Sequence, residues 1–172
     1  MTIDELKYFL NIAEDDESYD EVITSLYSLA KQIFYQFTRR QLDIVTETDY
    51  YPNFEGSVIY LYKTPVQEII EMTMKSSSTD PGEPITGYML VADAIYFDEP
   101  FQTKILKVTY KAGYKTLPNE VDQILAQLVS FLWNYDATKV FLSGTTEAIL
   151  APNQMEIPKH IQDNMAIYRV GI

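Results

Sequence analysis

A chain of 172 residues, 47% of them hydrophobic, is long and apolar enough for one compact domain with a sizeable core, which argues against a disordered chain. Its formal net charge of −12 disfavours a protein that grips nucleic acid, because such grip comes from Lys and Arg displacing counterions from phosphates. There is no Cys, which excludes disulfides and thiolate metal sites, and no apolar run approaches the ~20 residues of a membrane span.

The first residues, Thr2-Ile3-Asp4-Glu5, form a capping box. The Thr2 hydroxyl can accept from the Glu5 amide while the Glu5 carboxylate reaches back to the Thr2 amide, so a short helix is expected to about Leu10. The same segment carries acids where a signal peptide carries bases, so a soluble, non-secreted chain is expected. The acids Glu14, Asp15, Asp16 and Glu17 then precede Tyr19, Val22, Ile23, Leu26, Ala30, Ile33 and Phe37, an apolar series at steps of three and four. This pattern predicts a second helix ending near Thr38, with the acids as its first turn at the positive pole.

From Gln41 to Tyr110 the period falls to two, with β-branched and aromatic residues at strand density. The expected strands are 43–50, 57–62, 66–74, 88–91, 94–97 and 104–110. Ala92-Asp93 and Asp98-Glu99-Pro100 are expected to reverse the chain, making the last strands an antiparallel meander. The stretch 76–82 lacks apolar residues and is expected to be a mobile loop. Thr109-Tyr110-Lys111-Ala112-Gly113-Tyr114 then runs from strand into a glycine turn.

Pro118 suits the first position of a third helix reaching about Tyr135. Val121, Ile124, Leu125, Leu128 and Leu132 make one stripe, and Val129, Phe131 and Trp133 lie off it. Apolar residues all round predict cover on a second side, so these last three are the candidate subunit interface. An irregular stretch is expected between Asp136 and Pro158, which opens a fourth helix. Ile161, Met165, Tyr168 and Arg169 fall on that helix and form a candidate docking segment within about 141–172. The expected fold class is α+β: a core of three to four helices with an inserted antiparallel β-sheet at about 41–110, all within one domain, 1–172.

No chemistry accompanies this frame. His160 is the single His, too few for a multi-His metal site, and no Gly-Xaa-Ser-Xaa-Gly elbow or phosphate-cradling glycine loop is present. The acids at 14–20 lack the glycine and terminal glutamate spacing of a calcium loop. No catalytic, cofactor-binding or metal residue is assigned, and no enzyme is expected. Lys104, Lys107, Lys111 and Lys115 read as a solvated, edge-protecting sheet face, with DNA contact or pairing to acids of another subunit as the other readings.

The order of these pieces carries a resemblance. A capped helix, an acidic turn, a long helix ending Phe37-Thr38-Arg39, strands with Thr64-Pro65-Val66 and Ile69, then Val108-Thr109-Tyr110-Lys111-Ala112-Gly113-Tyr114, Leu117-Pro118 and Ile157-Pro158 to Tyr168-Arg169 resemble the tailed-bacteriophage head-tail connector (adaptor) family. The resemblance spans nearly the whole chain. It departs in the length of the strand region, 41–101, and in 141–156, where contact residues do not transfer. It implies a homo-oligomeric ring, dodecameric in the family pattern, seated beneath the portal protein in the virion neck after synthesis in the host cytoplasm. Such a ring extends the DNA channel without specific DNA binding, takes a stopper or tail-completion protein below it, and needs no cofactor, enzymatic activity or membrane. A stopper or tail-completion role is the nearest alternative reading, and a small soluble enzyme or ligand-binding domain the most remote.

Overall fold

The computed structural model describes residues 1–135 and 156–169, and the chain divides into two compact units. One gathers 1–39 with the residues from 117 onward, and the other holds 40–116.

The first unit is helical. Helix α1 (Ile3–Leu10) begins on the expected capping box, with the Glu5 carboxylate 2.7 Å from the Thr2 amide, and ends on Asn11 in the left-handed conformation that Asn tolerates. Helix α2 (Asp20–Thr38) starts later than the acidic run suggests. Asp16 caps a short 3₁₀ turn, Glu17–Tyr19, by accepting from the Ser18 amide at 3.0 Å, so the acids at 14–17 lie ahead of the helix. Helix α3 (Asn119–Asn134) packs against α1, α2 and helix α4 (Lys159–Ala166) of the same chain. Those three neighbours account for its all-round apolar surface: Val121, Ile124, Leu125, Ala126, Leu128, Val129 and Leu132 are all buried. The protein's own helices thus cover Val129, one of the three residues expected to need a second cover, whereas Phe131 and Trp133 are half-buried.

The second unit is an antiparallel sheet built around one long strand. The strands are β1 (Val45–Tyr60), β2 (Val66–Lys75), β3 (Glu83–Pro84), β4 (Tyr88–Val91) and β5 (Ala94–Ala112). β1 pairs with β5 along almost its full length, from Val45 opposite Ala112 to Tyr60 opposite Ala94. The other edge of β5 is shared, with β2 against its second half and β4 against its start. Two expected strand pairs are thus single strands. Asp98-Glu99-Pro100 does not reverse the chain but forms part of an irregularity in β5, where the register jumps between Gly56 and Val58. A bulge of this kind bends a strand without ending it. The expected meander holds only for the β4–β5 hairpin, which turns at Ala92-Asp93 with Ala92 at φ 53°.

One face of the sheet closes on a core of Ile59, Leu61, Met72, Ile95, Phe97, Leu106, Val108, Tyr110 and Ala112, with Phe54 and Phe101 packed against it. Phe97 and Phe101 meet edge to face at 4.7 Å, a geometry that ring quadrupoles favour. The stretch 76–82, expected as a mobile loop, has its turn closed by one side chain. Asp80 accepts from the Ser76 amide at 2.9 Å, the Ser76 hydroxyl at 2.6 Å and the Gly82 amide at 2.9 Å.

Candidate interaction surfaces

Three polar arrangements, two of them centred on buried side chains, hold the units in shape. In the helical unit, Lys7 is only 2% exposed, yet its ammonium lies 2.7 Å from Asp20 Oδ1 and donates to the Glu14 carbonyl at 3.0 Å. The bond to Asp20 raises the Lys7 pKa, so the base ties α1 to the acidic segment as a cation. In the sheet unit, Asp49 on β1 accepts at Oδ2 from the Tyr110 hydroxyl at 2.7 Å and the Tyr62 amide at 3.2 Å. The Tyr110 hydroxyl in turn accepts from the Lys63 amide at 3.0 Å. Burial pushes the phenols of Tyr110 and Tyr51 upward, so both stay protonated as donors. Asp93, in the β4–β5 turn, accepts from the Val66 amide at 3.1 Å, and its backbone carbonyl accepts from the Leu61 amide. Asp49 and Asp93 thus staple the 61–66 crossing from both sides. These groups satisfy one another inside the fold, and their chemistry is structural.

Two members of the lysine row are paired with acids. Lys107 lies 2.5 Å from Glu71 and Lys111 2.5 Å from Glu68, each pair linking β5 to β2. Hydrogen bonding to Glu71 raises the Lys107 pKa, and Lys111 lowers that of Glu68. For these two lysines the pairing acids, which one alternative reading placed on another subunit, come from the neighbouring strand of the same chain. Among the described residues, no group of three or more His, Asp or Glu side chains could hold a metal ion, and no helix is long and apolar enough to cross a membrane.

The residues singled out from sequence separate by burial. Val129, Ile161 and Met165 are enclosed by the protein's own helices, Val129 and Met165 completely. Phe131 and Trp133 are half-buried; Trp133 meets Tyr19 edge to face at 5.4 Å, and Phe131 lies 5.2 Å from Tyr135. Tyr168 is half-buried against Phe34, while Arg169 and His160 are exposed. Of the seven candidates, Val129, Ile161 and Met165 therefore lie in the core, whereas Phe131, Trp133, Tyr168 and Arg169 keep accessible surface. Most of the 141–172 segment falls outside the described residues.

Sequence reading passed over one surface. At the β4–β5–β1 end of the sheet, Met89 stands opposite Tyr96 and Val91 opposite Ala94, which in turn faces Tyr60; Met89, Val91, Tyr96 and Tyr60 are exposed, while Ala94 is buried. The signal was present: 88–91 and 94–97 are apolar at every position, where a strand with one wet face alternates.

A family model described as "Head completion protein" matches residues 1–170. Solved structures share the fold. The chain is similar to one from the "Neck of empty GTA particle computed with C6 symmetry", with a TM-score of 0.71, 14% identity and coverage of 100% of this chain and 90% of that one. A chain of the "Virion of native gene transfer agent (GTA) particle" gives a TM-score of 0.71 at 13% identity, covering 100% and 90%. Another, from the "Neck of native GTA particle computed with C12 symmetry", gives 0.63 at 15% identity, covering 96% and 91%. No curated protein matches the chain.

Proposed function

The chain belongs to the head completion protein family, and from that premise we propose that it is a ring-forming connector subunit of the virion neck. It completes the head at the head-tail junction. Copies of the chain close into a ring beneath the portal protein, extend the channel through which the genome passes, and present the attachment surface for a stopper or tail-completion protein. The single observation carrying this reading is the match of the family model over residues 1–170, supported by a fold shared end to end with neck proteins of symmetric particles.

The physical chemistry agrees with a passive wall. A net charge of −12 repels a polyanion, and the two most regularly placed lysines are committed to Glu68 and Glu71. The polar arrangements described above hold strands and helices together and build no reactive site, which supports a structural role. The C-terminal part, with Tyr168 and Arg169 accessible on it, serves as the portal-docking segment.

Mass photometry of the purified chain, alone and with portal, tests the reading. The expected outcome is a multi-subunit assembly on the portal. A chain that stays at 19.9 kDa whether or not portal is present contradicts it.

A further inference from the structure

We propose that the free edge of β1 over residues 45–51 receives an extended segment of a different neck protein as an added strand, an inference that takes the source of that partner from the neck reading above. β1 ends the sheet, with β5 as its strand neighbour. An edge strand turns every second N–H and C=O away from its neighbour. Among the described residues, no group outside β5 hydrogen-bonds to the main chain of 45–51. This stretch keeps an unbroken register with β5, from Val45 opposite Ala112 to Tyr51 opposite Leu106, and contains neither Pro nor Gly. The other unpaired stretches of the sheet are guarded. β2 is kinked by register shifts between Val66 and Glu68 and between Ile69 and Glu71. β3 is two residues long and ends on Pro84, β4 has four residues, and the part of β5 between its β4 and β2 partners contains Pro100. Past Tyr51, β1 itself is interrupted by Pro52, by Asn53 at φ 49° and by the jump at Gly56. Only 45–51 is left as a regular, open edge.

The chemistry of this edge names its occupant. A row of free amides and carbonyls is matched by another extended main chain. A second copy is a poor source of one. Its remaining edges are the guarded ones, and pairing 45–51 with itself in antiparallel sense about Thr48 sets Glu47 opposite Asp49 twice, which like charges disfavour. The same two acids admit a strand that is neutral or basic where it faces them, and the net charge of −12 favours that choice at longer range. The occupant is therefore an extended segment of a different protein, free of acids opposite Glu47 and Asp49.

Hydrogen exchange read by mass spectrometry tests the edge. In the purified chain, alternate amides of 45–51 are expected to exchange fast while those bonded to β5 stay protected; in assembled particles the fast set is expected to slow by about tenfold or more. Full protection already in the purified chain, or fast exchange retained in particles, overturns the proposal. A second arm places p-benzoylphenylalanine at position 50, where Tyr50 is 57% exposed, so that one surface ring replaces another. Photolysis of the particles is expected to give a conjugate heavier than 19.9 kDa that joins one copy of this chain to a peptide of a different protein. A conjugate of two copies of this chain, or no conjugate, overturns the proposal. Failure of the neck reading shows separately, as wild-type chain absent from purified particles, while exchange in the purified chain still reports on the edge alone.

Discussion

Asp49 gathers the Tyr110 hydroxyl and the Tyr62 amide around one buried carboxylate oxygen, and through Tyr110 it also holds the Lys63 amide. Removing the acceptor leaves buried donors unpaired, so Asp49→Ala is expected to cost about 2–4 kcal/mol, measured by urea denaturation. A cost under about 0.5 kcal/mol would mean that water replaces the carboxylate freely. Asp80 acts similarly in the open: its bonds to Ser76 and Gly82 bring its pKa from 3.8 down to about 2. A depressed carboxyl pKa contributes stability that is present above the ordinary value and lost as pH falls through the folded one. The Ser76 and Gly82 amide resonances are therefore expected to titrate near pH 2, and a midpoint near 3.8 would remove Asp80 from control of the loop. The capping box was legible in sequence because its partners are three residues apart. Asp49 and Tyr110 were not, because their bond spans 61 residues and follows from pairing no local pattern encodes.

Among the elements, helices were easier to read than strands. The apolar spacing marks α2 and α3 because helical periodicity is internal to each segment. The start of α2 slipped to Asp20 because Asp16 spends its carboxylate on a 3₁₀ turn ahead of the helix. In the sheet, Pro and acids at 98–100 read as a turn, yet β5 passes through them because its neighbours absorb the extra residues as a bulge. Part of the extra apolar surface of α3 is covered within the chain, since α1, α2 and α4 pack on it and bury Val129, while Phe131 and Trp133 stay half-buried. The turn at the end of β5 is the element most sensitive to a single change. Gly113 has φ +120°, and a Cβ there would lie 2.3 Å from the Asp43 carbonyl oxygen. Gly113→Ala is expected to destabilise by about 2–3 kcal/mol or more through strain and displaced backbone, read as a lowered thermal midpoint. An unchanged midpoint would show that the 43–44 backbone can move aside without loss.

For the whole molecule, identity was legible in the order of elements. The α+β class, the strand-rich middle and the neck-protein resemblance follow from where periodicity changes and where Gly113 and Pro118 punctuate it. What was not legible is which apolar residues face outward, because exposure depends on which strands and helices become neighbours. Val129 reads as spare and is buried, whereas Met89 and Tyr96 read as ordinary strand and are exposed. Net charge acts at this scale too. With −12 overall and Lys107 and Lys111 of its lysine row paired, the chain is expected to give little or no DNA mobility shift even at low salt, and strong salt-dependent binding would contradict a passive channel wall. The central claim, that copies of this chain form a closed ring completing the head, is met most directly by symmetry-resolved electron microscopy of particle necks carrying a tagged chain. The account predicts a closed ring of tagged subunits between portal and tail; tag density at a single position, or none at the junction, would contradict it.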